Sequence, residues 1–241
     1  MGVSQENYAK RINSTMKKEY TYEYWRPALA VDNVVFSFDG TQLRVLLIKR
    51  LNDPFKNCWA FPGGFVEENE TLEEAASREL YEETGIKATC QSEINAFSAV
   101  DRDPRERVIS VAYFSIAQNT KPVASDDAKD AQWFSIHNLP TLAFDHAEIL
   151  KQALIRLRIC FHITPVGFEL LGKTFTVPEV QRLYTEVFDR KFDRRNFHKR
   201  FLKLELIKEV QTEKQTTSHT AKRYSFNEEA YYQLRKKMLK F

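Results

Sequence analysis

Three glutamates stand close together in this chain, at positions 79, 82 and 83. On a helix, the spacings i, i+3 and i+4 put Glu79, Glu82 and Glu83 on one face. Three crowded carboxylates repel one another, and a hard divalent cation such as Mg²⁺ or Mn²⁺ relieves that repulsion. Arg78 adjoins them and can hold a carboxylate in a fixed orientation. Gly63 and Gly64 let the backbone turn sharply and come close to a ligand. Magnesium held by a few carboxylates completes its shell with waters and phosphate oxygens. The implied chemistry is metal-assisted attack of water on a phosphoanhydride. For the three glutamates alone, the competing reading is a solvated acidic helix face.

The surrounding pattern supplies elements to position them. Thr71 to Glu74 (TLEE) is a capping box, predicting a helix to about Thr84 that Gly85 stops. Ahead of it, Ala28–Phe38 and Leu43–Ile48 read as strands joined at Asp39-Gly40, a hairpin signal. LNDPFKNCWAFPGGF reads as a loop. Strands are predicted again at Ile94–Val100, Val108–Ala117 and near Ala131–Ile136, with a charged turn, DRDPRER, between the first two. Asp145-His-Ala-Glu148 reads as a second capping box, and Ile149, Leu150, Ala153, Leu154 and Leu157 as its helix's apolar stripe. This mixture predicts an α/β (α+β) sandwich.

The pattern changes after residue 160. Pro165 marks a break. Thr176 to Glu179 is a third capping box, and Asp193 is a good N-cap for a second helix, RRNFHKRFLKLEL. IKEVQ and KRYSF read as two strands around TEKQTTSHTA. Helix, turn, basic helix, hairpin is the outline of a winged helix-turn-helix. The division is a tail at 1–22, a first domain at 23–142, a linker helix at 143–160 and a second domain at 161–241.

The bulk numbers agree. The 241 residues suffice for two modest domains. Residues 1–160 carry 19 Lys and Arg against 23 Asp and Glu, whereas 161–241 carry 17 against 10. An acidic unit precedes a basic one, and nucleic acid is the usual partner of such a basic unit. Cys58, Cys90 and Cys160 are far apart and form no CxxC pair, which predicts a reducing, cytoplasmic setting. No apolar run approaches the roughly 20 residues of a membrane span. On the basic helix, Phe197, Phe201 and Leu204 fall on one side as a buried stripe, and Arg195, Asn196, Lys199 and Lys203 on the other. Arg194 precedes them. Arginine reads guanine, asparagine reads adenine, and lysine neutralises phosphate. Lys214 belongs to the predicted wing at Thr212–Ala221, and Lys222 and Arg223 follow it. The competing reading of the second domain is an oligomerisation or protein-binding module.

The run from Gly64 through Glu70, Arg78, Glu79, Glu82, Glu83 and Gly85 to Ile86 resembles the Nudix box at each defining position. Seven fixed identities at roughly 6–7% usage each make a chance match rare, on the order of 10⁻⁸ per start. The resemblance implies an α/β/α sandwich with a mixed sheet and Mg²⁺ or Mn²⁺ on Glu79, Glu82 and Glu83. It also implies that Arg78 orients Glu79 and that Glu70 holds Arg78. FSAVDRDPRERVISVAYF is similar to the strand–turn–strand of ADP-ribose pyrophosphatase-like members, which makes Arg102, Arg105 and Arg107 candidates for a diphosphate or a ribose-linked group. Glu106 is a candidate general base outside the box. With LAFDHAEIL and FTVPEVQRLYTEVF–RRNFHKRFLKLELI, the chain resembles Nudix-related transcriptional regulators of the NrtR type. That implies a homodimer on operator DNA and a small effector, an ADP-ribose-like nucleotide or a pentose. Many such regulators have degraded boxes. This box is complete, so hydrolysis stays open.

Overall fold

The computed structural model of the chain describes residues 21–124, 128–210 and 222–238. Residues 1–20 of the N-terminal tail and the loop of the predicted wing, with Lys214, lie outside the described residues. A seven-stranded sheet has a path β3-β2-β1-β6-β5, formed by Trp59–Ala60, Leu43–Arg50, Ala28–Phe38, Val108–Ile116 and Cys90–Phe97 in that order. Gly63–Phe65 (β4) pairs with β1, and Ala128–Ser135 (β7) pairs with β2. The sheet is mixed, because β1 runs parallel to β6 and antiparallel to β2.

Side chains alternate across a strand, and β1 shows it. Val31 and Val35 face the helix Leu72–Thr84 (α1), through Ala75, Ala76 and Leu80. Val34, Phe36 and Phe38 face the opposite layer, built on the helix His146–Ile163 (α2). Ile149, Leu150, Ala153, Leu157 and Cys160 of α2 are buried there. The helix expected to link two domains is thus also the second layer of the sandwich. Its solvent side keeps Ile155, Ile159 and Ile163 exposed.

The second unit contains helices Val166–Leu171 (α3), Val177–Phe188 (α4) and Arg194–Lys203 (α5), then strands Ile207–Val210 (β8) and Arg223–Phe226 (β9), then Glu228–Met238 (α6). β8 and β9 pair antiparallel as a wing hairpin. Phe175, Val177, Val180, Phe201 and Tyr224 form its core. The two units share apolar packing, since Val166, Leu170, Leu183 and Val187 join the cluster of Phe38, Leu43 and Leu157.

Several elements depart from the sequence expectations. β5 begins at Cys90 rather than Ile94 because pairing with β6 starts at Cys90↔Ile116. A helix stands where Pro165 suggested only a break. α5 ends at Lys203, followed by a non-glycine residue at positive φ, Glu205 (φ 55). Leu204 therefore lies off the helix and is half exposed rather than buried. Residues 228–238 form α6, which the strand-ended outline did not include. The capping boxes at Thr71 and Thr176 are present. The one at Asp145 is not: its side chain makes no cap bond, because the carboxylate is taken by Arg102.

The β1–β2 turn carries a testable electrostatic feature. Burial works against the charge of Asp39, but the Thr41 hydroxyl, the Gln42 and Thr41 N–H groups and Arg44 outweigh it, bringing its pKa to about 2. A carboxyl depressed in the folded state adds stability above its unfolded pKa, and that stability fades as pH falls through the folded value. Asp39→Asn should cost about 1 kcal/mol at pH 7, since the Arg44 pair is partly open to solvent. The difference from wild type should shrink between pH 4 and pH 2, as denaturant melts at several pH values would show.

Candidate functional site

The glutamate helix starts at a reciprocal cap. Thr71 accepts from Glu74 N–H, and Glu74 accepts from Thr71 N–H at 2.8 Å. Gly85 closes it at φ 66. The capped helix presents Arg78, Glu79, Glu82 and Glu83 toward β4. Arg78 is the hub. Its Nε and Nη2 donate to both oxygens of Glu70, at 2.9 and 2.6 Å. Its Nη1 donates to Glu79 at 2.8 Å and to Glu82 at 3.1 Å, and its Nη2 to the Phe65 carbonyl at 3.2 Å. Glu83 accepts from Gly63 N–H at 2.9 Å. The absence of a side chain on Gly64 leaves room for the Glu79 carboxylate.

The charges on this cluster are unequal. Arg78 hydrogen-bonds Glu70 and holds its pKa down at about 2. Burial raises the pKa of Glu79, partly offset by Arg78. Burial also lifts Glu83 to about 8, with Glu79 and Asp32 adding repulsion and the Gly63 N–H opposing it. An all-oxygen set of carboxylates, two of them desolvated, suits a hard divalent cation. Among the described residues no three His, Cys, Asp or Glu side chains are already gathered around a metal position. Glu79 and Glu82 each give one oxygen to Arg78.

On the α2 side of the same glycines lies a cleft. Asp32, Arg50, Phe61, Gly63, Gly64, Phe65, Arg102, Arg105, Phe144 and His146 line it. Arg102 is buried, with its side chain 5% exposed, bonded to Asp145 at 2.7 and 2.9 Å and to Asp32 at 3.4 Å. Asp32 also accepts from Ser110. His146 lies flat on Phe61, ring centres 5.1 Å apart, and its Nδ1 accepts from Phe61 N–H at 3.0 Å. Burial lowers its pKa, which keeps the ring neutral with Nε2–H turned to Asp32 at 3.3 Å. Arg105 pairs with Asp103 and lies over Phe65. Arg50 donates to the Pro54 carbonyl and sits over the Phe144 ring at 4.8 Å.

The structure therefore gathers Glu70, Arg78, Glu79, Glu82, Glu83, Gly63 and Gly64, and brings Arg102 and Arg105 to the neighbouring cleft. Arg107 and Glu106 do not line that cleft. Arg107 donates to the Ala99 carbonyl, and Glu106 is exposed. Sequence reasoning did not select Asp32, Arg50, Phe144, Asp145 or His146. Asp32 had a signal, a charge inside the apolar run ALAVDNVVF, and so did Arg50, which ends the apolar run of β2.

Residues 26–153 match the NUDIX domain family model. The chain belongs to the Nudix family. Within it, residues 167–226 match the NrtR DNA-binding winged helix domain. A Nudix relative from Methanocaldococcus jannaschii, an ADP-ribose pyrophosphatase, is 44% identical over 146 residues, covering 61% of this chain and 84% of that one. An ADPR-responsive transcriptional repressor from Acinetobacter baylyi is 33% identical over 185 residues, covering 72% and 74%. The crystal structure of Shewanella oneidensis NrtR complexed with a 27mer DNA superposes with a TM-score of 0.71 at 26% identity, covering 85% of this chain and 95% of that one. Nudix hydrolases as a family use divalent metal ions. No helix among the described residues is long and apolar enough to cross a membrane.

On the NrtR-type domain, Arg194, Arg195, Asn196, Lys199 and Lys203 of α5 are all exposed. Asp193 caps the helix by accepting from Asn196 N–H at 2.9 Å. Two residues expected to face DNA are occupied within the domain. Lys222 pairs with Glu209, and Arg223 grips the Thr174 carbonyl and hydroxyl. Arg223 therefore ties β9 to the segment before α4.

Proposed function

We propose that this Nudix protein is an ADP-ribose-responsive transcriptional repressor, with operator DNA held by its winged helix and the nucleotide by its Nudix domain. One observation carries the reading: a cleft rich in arginine and aromatic rings shares apolar packing with a DNA-binding domain of NrtR type. Arg50, Arg102 and Arg105 suit a diphosphate, and the rings of Phe65 and Phe144 suit a base. A neutral pentose brings no anion to match three guanidinium groups, so the nucleotide is preferred over a sugar. Exposed Arg195, Asn196, Lys199 and Lys203 are the contacts proposed for DNA. Winged helices of this kind read paired half-sites, so the assembly is a homodimer. The apolar residues Ile155, Ile159 and Ile163, exposed along one helix, support a face that a second copy would cover. A DNA partner and three free cysteines support a cytoplasmic location.

The complete box supports retained hydrolysis. Glu79, Glu82 and Glu83 would hold Mg²⁺ or Mn²⁺, with Arg78 orienting Glu79 through one of its two oxygens. The bound ion would activate water and polarise the phosphoanhydride. Gly63 N–H steers Glu83, and Glu70 keeps Arg78 close by. The test is a binding assay on duplexes selected by the protein from random DNA, with and without ADP-ribose, followed by nucleotide analysis with Mg²⁺ or Mn²⁺. Release of DNA by ADP-ribose is expected, and AMP with ribose 5-phosphate above the level of Glu82→Gln. No selected DNA, or DNA indifferent to ADP-ribose, would refute the regulator reading.

A further inference from the structure

Helix α2 is held at both ends by groups belonging to different tasks. At its start, Asp145 occupies the N-cap position but gives both carboxylate oxygens to Arg102. Arg102 lines the cleft. The next residue, His146, packs on Phe61 in the same cleft. At the far end, Arg158 Nε donates to the Val187 carbonyl at 2.8 Å. Phe161 stands edge-on to Tyr184 and Phe188, and His162 touches Phe188. Tyr184, Val187 and Phe188 are in α4, which leads by a short turn to α5. One helix of eighteen residues, roughly 27 Å long, therefore joins the cleft to the DNA-reading unit.

We propose that Asp145 is a switch residue that competes with an effector phosphate for Arg102. Carboxylate and phosphate bind the guanidinium fork in the same two-point way. A phosphate entering the cleft can replace Asp145 on Arg102. The freed carboxylate has an alternative partner, because an aspartate at this position caps the first turn of a helix. Both states are satisfied, as a two-state element requires. Movement at the start of α2 passes through Arg158 and Phe161 to α4. This regulation rests on the effector reading above.

The experiment measures operator affinity with and without ADP-ribose, and ADP-ribose affinity by calorimetry, on the full chain. Wild type should show a coupling of about 5–150-fold, the usual span for allosteric sites. Asp145→Asn keeps the size and can still cap, but loses the ion pair. It should bind ADP-ribose several-fold more tightly and reduce the coupling to within about twofold. A merely structural aspartate would weaken ADP-ribose binding when replaced. Arg158→Met, remote from the cleft, should leave ADP-ribose affinity in the free protein unchanged and also reduce the coupling. Wild-type coupling in either folded variant, or weaker ADP-ribose binding by Asp145→Asn, overturns the proposal. Absence of any ADP-ribose effect on wild type overturns the functional reading as well, which separates the two failures.

Discussion

Replacing Arg195, Lys199 and Lys203 together by alanine should lower operator affinity roughly a thousandfold, about tenfold per cation. All three are exposed on α5, with Phe201 turned inward on the opposite side. The substitutions therefore remove charge without removing core. Each lost phosphate contact should also flatten the slope of log K against log salt by about 0.9. A salt titration by fluorescence anisotropy should thus give a slope smaller by nearly three. The melting temperature should stay close to that of wild type, since exposed substitutions away from caps and core usually shift stability by less than about 0.5 kcal/mol. Arg223→Ala makes the contrast. Its guanidinium holds the Thr174 carbonyl, so its loss should loosen the wing and lower the melting temperature while leaving the salt slope nearly intact. An unchanged slope in the triple variant would move the DNA contacts off α5.

The parts of this molecule readable from sequence are those set by local rules. The helix Leu72–Thr84 is bounded by Thr71 and Gly85, and both boundaries follow from capping chemistry within four residues. Within the winged helix, α4 and α5 follow from their caps, Thr176 and Asp193. The cleft is different. Asp32, Arg102 and Asp145 meet across 70 and 43 residues of chain, through a parallel β1–β6 pairing that no local pattern specifies. Asp145 shows the conflict directly. DHAE satisfies the rule for a capping box, yet a buried guanidinium from another loop outbids the helix for the carboxylate. Leu204 shows a second limit. A helical wheel places it beside Phe201, but the helix stops one residue earlier.

The two adjacent glycines should fail in opposite ways when replaced by alanine. A Cβ on Gly63 would overlap the Val31 carbonyl oxygen and press on Asp32 Cα. Both are backbone of the neighbouring strand, paired to Gly63 and Gly64 in register, so β4 itself must move. Gly63→Ala should cost about 3 kcal/mol, the upper part of the usual range for overpacking, and lower the melting temperature by about 5–10 °C. The atoms nearest a Cβ on Gly64 are those of the Glu79 carboxylate, the end of a flexible side chain that can swing away. Gly64→Ala should therefore melt within about 2 °C of wild type. Its effect falls on chemistry, because a displaced Glu79 loses Arg78 and its place beside Glu83. Metal-dependent hydrolysis of ADP-ribose should fall by at least about a hundredfold, the scale on which one misplaced catalytic group acts. Operator binding without ADP-ribose should be unchanged, since neither glycine touches the winged helix. Thermal melts and nucleotide analysis on the two variants distinguish the outcomes. Equal loss of stability in both would mean that Glu79 is held too firmly to yield, and that the box is built as much for rigidity as for metal.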